Sequence, residues 1–264
     1  MREVCMVNYL DHKDLVNEVI SRERIQEIHD ATLRCFDRVH RAESAAGRLE
    51  NSVRVLVATK TRDIGEIMAT IQAGTRLIGE NRPQEVQIKA ARLHQLCEEN
   101  HLPVESHLIG QLQKNKINKV IPFVDAIESV DSVEQAQQIA QRWAAVNDTP
   151  CRLFLEVNES HEKSKSGCDP DRAFDEACAI AEIPSVQLIG LMTIGTHVEE
   201  EQPIRRSFAS LRELRDKLLQ TGGEEVASCT ELSMGMTHDF PLAIAEGATE
   251  IRVGSAIFGE RLFV

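Results

Sequence analysis

The chain has 264 residues, 42% of them hydrophobic but only 4% aromatic, so a sizeable core must be built from Val, Ile, Leu and Ala. A net charge of −12 sets the surface against nucleic-acid phosphates and excludes a general nucleic-acid role. Seven Cys at scattered spacings without a CxxC pair, and nine His without an HxxxH or HExxH pair, argue against a disulfide frame and against a metal site.

Met1–His12 lacks a basic start followed by an apolar run, and no stretch approaches the ~20 apolar residues of a membrane span. A cytoplasmic protein without a membrane segment is expected. From Asp14 to Arg48 the residues Val16, Ile20, Ile25, Ile28, Leu33 and Val39 recur at helical spacing, and Gly47 and Asn51 offer a stop. Strands and helices then alternate. Val53–Thr59 is a β-branched strand, followed by a helix over Asp63–Ala73 that Gly74 ends. Arg76–Gly79 reads as a strand and Pro83–Glu99 as a helix with Pro83 in its first turn.

The pattern continues with strand Ser106–Gly110, helix Lys114–Pro122, strand Ala126–Ser129 and helix Ser132–Val146. Strand Arg152–Asn158 and helix Pro170–Ile183 follow, then strand Val186–Thr193 and helix Pro203–Gln220. Strand Ser228–Met234, a short helix Phe240–Glu246, strand Ile251–Gly254 and one turn from Ser255 to Gly259 complete the chain. Such alternation means a parallel sheet. Eight units predict an α/β fold of the (β/α)8 TIM barrel class, with the N-terminal helix completing the outer ring beside the short last unit. An open doubly wound sheet would need a glycine-rich turn after an early strand, but the first turn is Thr59-Lys60-Thr61-Arg62. No linker divides the chain, so residues 1–264 read as one domain with a helical extension over about 1–50.

Barrel sites form at the C-terminal ends of the strands. Lys60 follows the apolar run Val53–Ala58 and should stand at the barrel mouth. Apolar surroundings disfavour a lysine's charged form, and the neutral amine attacks aldehydes. By position alone, a strand-end lysine reaching to water is the simpler reading. Strands seven and eight alter that balance. Ser233, Gly235, Gly254 and Ser255 are small, and the loops after these strands are a recurrent phosphate site of barrels. A lysine beside a phosphate cradle points to a phosphorylated aldehyde, pyridoxal 5'-phosphate. Arg252 lies two residues before Gly254 and so on the same face. An arginine at a pyridine nitrogen would keep that nitrogen unprotonated and the ring a weaker electron sink.

These residues lie in longer motifs. Val57-Ala58-Thr59-Lys60-Thr61, Gly79-Glu80-Asn81-Arg82-Pro83-Gln84-Glu85, Leu232-Ser233-Met234-Gly235-Met236 with Asp239-Phe240, and Glu250-Ile251-Arg252-Val253-Gly254-Ser255 follow in order. Ser164-Lys165-Ser166-Gly167 stands between them, with Lys165 read as a loop lysine. From about Val53 to Arg261 the sequence resembles the YggS/PROSC-type pyridoxal phosphate homeostasis proteins, whose barrel is similar to the N-terminal domain of alanine racemase. The resemblance implies that Lys60 forms a Schiff base with the cofactor and that Ser233, Gly254 and Ser255 hold its phosphate. It also implies that Arg252 faces the pyridine nitrogen, with Asn81 and Met234 as further pocket residues. Arg82, Gln111, Ser255 and Ile189 depart from the usual residues of that family.

The resemblance implies a cofactor-binding protein without established catalytic turnover, buffering or delivering pyridoxal phosphate to apo-enzymes. A pyridoxal-phosphate-dependent amino-acid racemase or lyase is the alternative, and a phosphosugar barrel enzyme using Lys60 is a third. The chain ends soon after strand eight and its one Tyr is Tyr9, so no second domain with a catalytic Tyr is expected and a monomer is favoured.

Overall fold

The computed structural model describes residues 14–160, 166–195, 198 and 200–259. Eight parallel strands close into a barrel in chain order: β1 (Arg54–Ala58), β2 (Leu77–Glu80), β3 (Glu105–Leu108), β4 (Ala126–Val130), β5 (Cys151–Glu156), β6 (Val186–Met192), β7 (Glu231–Ser233) and β8 (Glu250–Val253). Closure is direct, because β8 pairs with β1 at Leu56↔Arg252 while β1 pairs with β2 at Leu56↔Leu77. The (β/α)8 barrel expected from the alternation is the observed architecture.

The outer ring holds α1 (Arg22–Ala45), α2 (Ile64–Gln72), α3 (Pro83–Glu99), α4 (Ile117–Val120), α5 (Val133–Trp143), α6 (Ala173–Ala181), α7 (Glu201–Thr221), α8 (Phe240–Ala245) and the single turn α9 (Ser255–Phe258). Helix α1 packs on α2, α8 and α9, and so fills the gap that the short last unit leaves. Local chemistry sets several boundaries. The Asp63 carboxylate accepts the Glu66 N–H at 2.9 Å and starts α2, and the Ser132 hydroxyl accepts the Gln135 N–H to start α5. Gly74, at φ +113°, ends the α2 unit.

The first helix begins later than its periodicity predicts. Residues 14–20 are not helical, and Val16, the first residue of the periodic series, is 46% exposed. Ser21 caps α1 through the Arg24 N–H. The preceding segment is spent elsewhere: Leu15 O and Asn17 O accept the Ile64 and Gly65 N–H groups at the start of α2. Those are orphan donors of a helix N-terminus, and satisfying them outweighs a further helical turn. The predicted helix 114–122 is also broken, into a 3-10 turn, the four residues of α4 and a second 3-10 turn that contains Pro122. Strand β7 spans three residues rather than Ser228–Met234, because Cys229 N–H turns back to Val226 O.

The main core lies between sheet and helices, where Val57, Leu108, Ile127, Leu155, Leu191, Ile251 and Val253 face outward. The barrel interior is mixed. Leu56, Leu77 and Ile109 form one apolar patch, and Ala126, Phe154, Ile189 and Met192 form another. Between them stand buried polar groups from β3, β4, β7 and β8: His107, Glu128, Ser233, Glu250 and Arg252. Among the described residues no helix is long and apolar enough to cross a membrane, and the six described cysteines are free thiols.

Candidate functional site

A cavity of about 440 Å³ opens at the C-terminal ends of the strands. Lys60, Asn81, Arg252, Gly254 and Ser255 line it. The inward row of β1 leads there: Leu56 is fully buried, Ala58 lines the cavity floor, and Lys60 continues the same alternation. A wider cleft of about 580 Å³ lies at the opposite, N-terminal face beside Phe36, His40, Arg54 and Arg76, but carries no lysine and no turn between late strands. Chemistry, not size, selects the mouth.

The turn after Lys60 is held under strain. Thr61, a β-branched residue, sits at φ +67°. Its N–H donates to Glu85 Oε2 at 2.7 Å. Beneath the turn the fully buried Lys89 donates to Thr59 O, Arg62 O and Glu85 Oε2, each at 3.1 Å, and also to Glu80. The Thr59 hydroxyl donates to Glu80 Oε1 at 2.6 Å. Burial pushes the Glu80 carboxyl above its usual range, although the Lys89 ammonium beside it acts the other way. The backbone carrying Lys60 therefore rests on a buried ion network from β2 and α3.

Arg252 is 6% exposed and held from two sides. Its Nη1 donates to Ser233 O at 2.7 Å and to the Ser233 hydroxyl at 2.8 Å, and its Nη2 donates to Thr193 O at 2.7 Å. Among the described residues no protein group takes its Nε–H. Ser233 is fully buried beneath Arg252, and its hydroxyl donates to Glu128 Oε2 at 2.6 Å. Met234 is buried in the outer core, and its N–H is spent on Glu250 O. The structure thus gathers five of the seven sequence-derived residues at the cavity and puts Ser233 and Met234 below and behind it. Lys165 lies outside the described residues.

Sequence reasoning missed part of the lining: Arg62, Met236, Thr237, His238 and Phe258. The signal for the Met236–His238 stretch was Gly235, at φ +91°. A Cβ there would stand 2.5 Å from Ala243 Cβ, so only glycine lets the loop turn onto α8. Asp239 accepts the Met236 N–H at 2.5 Å and closes that turn. Arg82 and Gln111, which depart from the family pattern, are exposed and do not line the cavity.

Two features show that the lining fits a ligand of the expected kind. Asn81 Oδ1 is buried without a hydrogen-bond partner among the described residues, an orphan acceptor beside the cavity. Gly254 leaves room: a Cβ there would meet Ala58 at 3.5 and 3.6 Å, ordinary contact, so the space is not filled by protein. The residues present therefore fit a phosphorylated aldehyde with an amine, a polar rim and an arginine.

Under the cavity lies a second cluster. The buried His107 ring contacts Glu128 Oε1 at 2.7 Å through Nδ1 and Glu105 Oε1 at 2.9 Å through Nε2. Burial lowers its pKa, but the two carboxylate hydrogen bonds outweigh that and push it up to about 10. Burial works against the Glu128 charge, and the hydrogen bond to His107 overcomes it, holding that carboxyl below its usual range. Burial, then repulsion from Glu128, pushes the Glu250 carboxyl up to about 8. His107, Glu128 and Glu250 bring possible metal-ligand atoms within 4.8 Å of one another. Arg252 at 4.0 Å from Glu128 and Arg54 at 3.8 Å from Glu250 already supply positive charge there, so the cluster reads as an internal ion network. His107 is its hub.

The family model described as "Alanine racemase, N-terminal domain" matches residues 37–262. The pyridoxal phosphate homeostasis protein of Aquifex aeolicus is 37% identical over 230 residues, 87% of this chain and 96% of that protein. A crystal structure of an unknown protein from Bifidobacterium adolescentis superimposes with a TM-score of 0.90 at 54% identity, covering 93% of this chain and all of that one. PipY of Synechococcus elongatus, solved with PLP bound, superimposes with a TM-score of 0.70 at 34% identity, covering 82% of this chain and 97% of its own. By fold and sequence alike, this chain belongs to the alanine racemase N-terminal-domain family, among the relatives called pyridoxal phosphate homeostasis proteins.

Proposed function

We propose that the chain binds pyridoxal 5'-phosphate at the barrel mouth, with Lys60 holding it as a Schiff base, and that it serves cofactor homeostasis by buffering or delivery. The observation that carries this reading is the meeting of Lys60, Asn81, Arg252, Gly254 and Ser255 around one cavity. The names of its relatives and the PLP-bound PipY support it. Bound there, pyridoxal phosphate supplies an aldehyde that an amine captures with loss of water, and a ring that withdraws electrons. Lys60 Nζ is the amine at the end of the inward row of β1. Gly254 and Ser255 offer backbone N–H groups and a hydroxyl to the phosphate, and Ser233 acts from below through Arg252. Asn81 Oδ1 accepts from the ligand rim, and Met234 supports the β7 turn from behind. Arg252 brings fixed positive charge to the ring nitrogen and so opposes its protonation, which favours holding the cofactor over carbanion chemistry.

The test is spectroscopic. Wild-type protein with pyridoxal phosphate should show a visible band that Lys60→Ala abolishes. The loaded protein should restore activity to an apo-enzyme that needs the cofactor. A band that survives Lys60→Ala would refute the anchor. Exchange of amino-acid α-protons in deuterated water, at enzymic rates, would replace homeostasis with a racemase or lyase activity.

A further inference from the structure

A hydrogen-bonded chain runs through the barrel interior to the cavity. It starts at Glu105 near the N-terminal face, where Arg54 and Arg152 pair with that carboxylate. Glu105 meets His107, His107 meets Glu128, Glu128 accepts the Ser233 hydroxyl, and Ser233 accepts Arg252 Nη1. Each donor is determined by the next partner. An ionised Glu128 can only accept, so the Ser233 O–H must point at it. The oxygen lone pair of Ser233 is thereby turned toward Arg252, which can only donate. Glu250, fully buried, closes the cluster on the β8 side, with Arg54 Nη1 3.8 Å from its Oε2 and His107 Nδ1 4.0 Å from its Oε1. A neutral Glu250 leaves the negative charge on Glu128, where His107 and Arg252 face it.

We infer that Glu128, seated on His107, is the positioning residue for Arg252: it orients the Ser233 hydroxyl and so fixes the guanidinium at the cavity floor. This rests on the reading that the cavity takes pyridoxal phosphate. Glu128 itself does not line the cavity. Its influence on the ligand must pass through Ser233 and Arg252. In Glu128→Gln the amide can donate to Ser233, the hydroxyl then turns toward Arg252, and two donors face each other.

Absorbance titration of the full-length protein with pyridoxal phosphate tests this in a double-mutant cycle. Glu128→Gln should weaken binding about tenfold, the size expected for a lost charge-assisted hydrogen bond. In an Arg252→Met background the same substitution should make no further difference. Ser233→Ala, which removes only the bridging hydroxyl and leaves the carboxylate, should weaken binding about threefold and serves if Glu128→Gln does not fold. Equal weakening by Glu128→Gln in both backgrounds, or unchanged binding in Glu128→Gln and Ser233→Ala, would overturn the positioning role while leaving the cofactor reading intact. No visible band in the wild type would remove both.

Discussion

Two side chains near the anchor illustrate opposite ways of being buried. Lys89 is 2% exposed and satisfies four oxygens, two of them carboxylate. Asn81 carries an acceptor that no described protein group satisfies. Removing the lysine leaves Glu80 buried without its ion-pair partner and Glu85 with only the half-exposed Arg82 at 3.7 Å, a loss of about 3–5 kcal/mol. Lys89→Met should therefore lower the urea midpoint sharply. Asn81→Ala should cost under about 1 kcal/mol, since no hydrogen bond to Oδ1 is lost, yet weaken pyridoxal phosphate binding severalfold. Comparable destabilisation by both variants would contradict this contrast. Asn81 and Lys60 were legible because they follow strands in recognisable motifs. Lys89 was not: Glu85 and Lys89 are four apart on a helix, which in sequence is indistinguishable from an exposed ion pair.

At the scale of elements, the first helix does more than complete a ring. Arg24 Nη2 donates to Phe258 O at 2.9 Å and to Glu66 Oε1 at 2.7 Å. It thus ties α1 and α2 to the C-terminal end of α9, the turn that presents Ser255. Arg62 packs over the Phe258 ring at 5.0 Å and stands 3.6 Å from Glu66, joining the cavity rim to the same tie. Arg24→Ala should cost about 2 kcal/mol, the range for charge-assisted hydrogen bonds. It should also speed release of pyridoxal phosphate, measured by stopped-flow transfer to a scavenging amine. An unchanged release rate would confine α1 to a structural role. The helical spacing from Asp14 to Arg48 revealed the element but not its start or this tie. Residues 14–20 take their conformation from α2, and the Arg24 partner is 234 residues away.

For the whole molecule, the interior network should make stability fall in alkali. His107 is raised from 6.5 to about 10 and Glu250 from 4.5 to about 8, so the folded state binds protons that the unfolded state has released. The Glu250 contribution is complete below pH 4.5 and gone once pH passes 8; the His107 contribution is complete below 6.5 and gone once pH passes 10. Glu105 acts at the other end. Burial opposes its charge, but His107, Arg54 and Arg152 hold its carboxyl well below the usual range, so its contribution is lost in acid. The Tm should decline from pH 7 to pH 9, and Glu250→Gln should flatten the part below pH 8. A Tm that rises over that interval would contradict the assigned protonation.

The sequence by itself determined the barrel, its closing helix and five of the residues around the mouth, Lys60, Asn81, Arg252, Gly254 and Ser255. Those follow from local physics: hydrophobic period, caps, and the rule that a strand's end places its next inward residue at the mouth. Tertiary structure alone decided that Ser233 lies beneath Arg252 rather than along the cavity wall, and that His107 and Glu128 form an ion network. Ser233 and Glu128 are 105 residues apart, on β7 and β4. Barrel closure is what brings those two strands to face one interior, and a buried charge takes whatever partner that closure supplies.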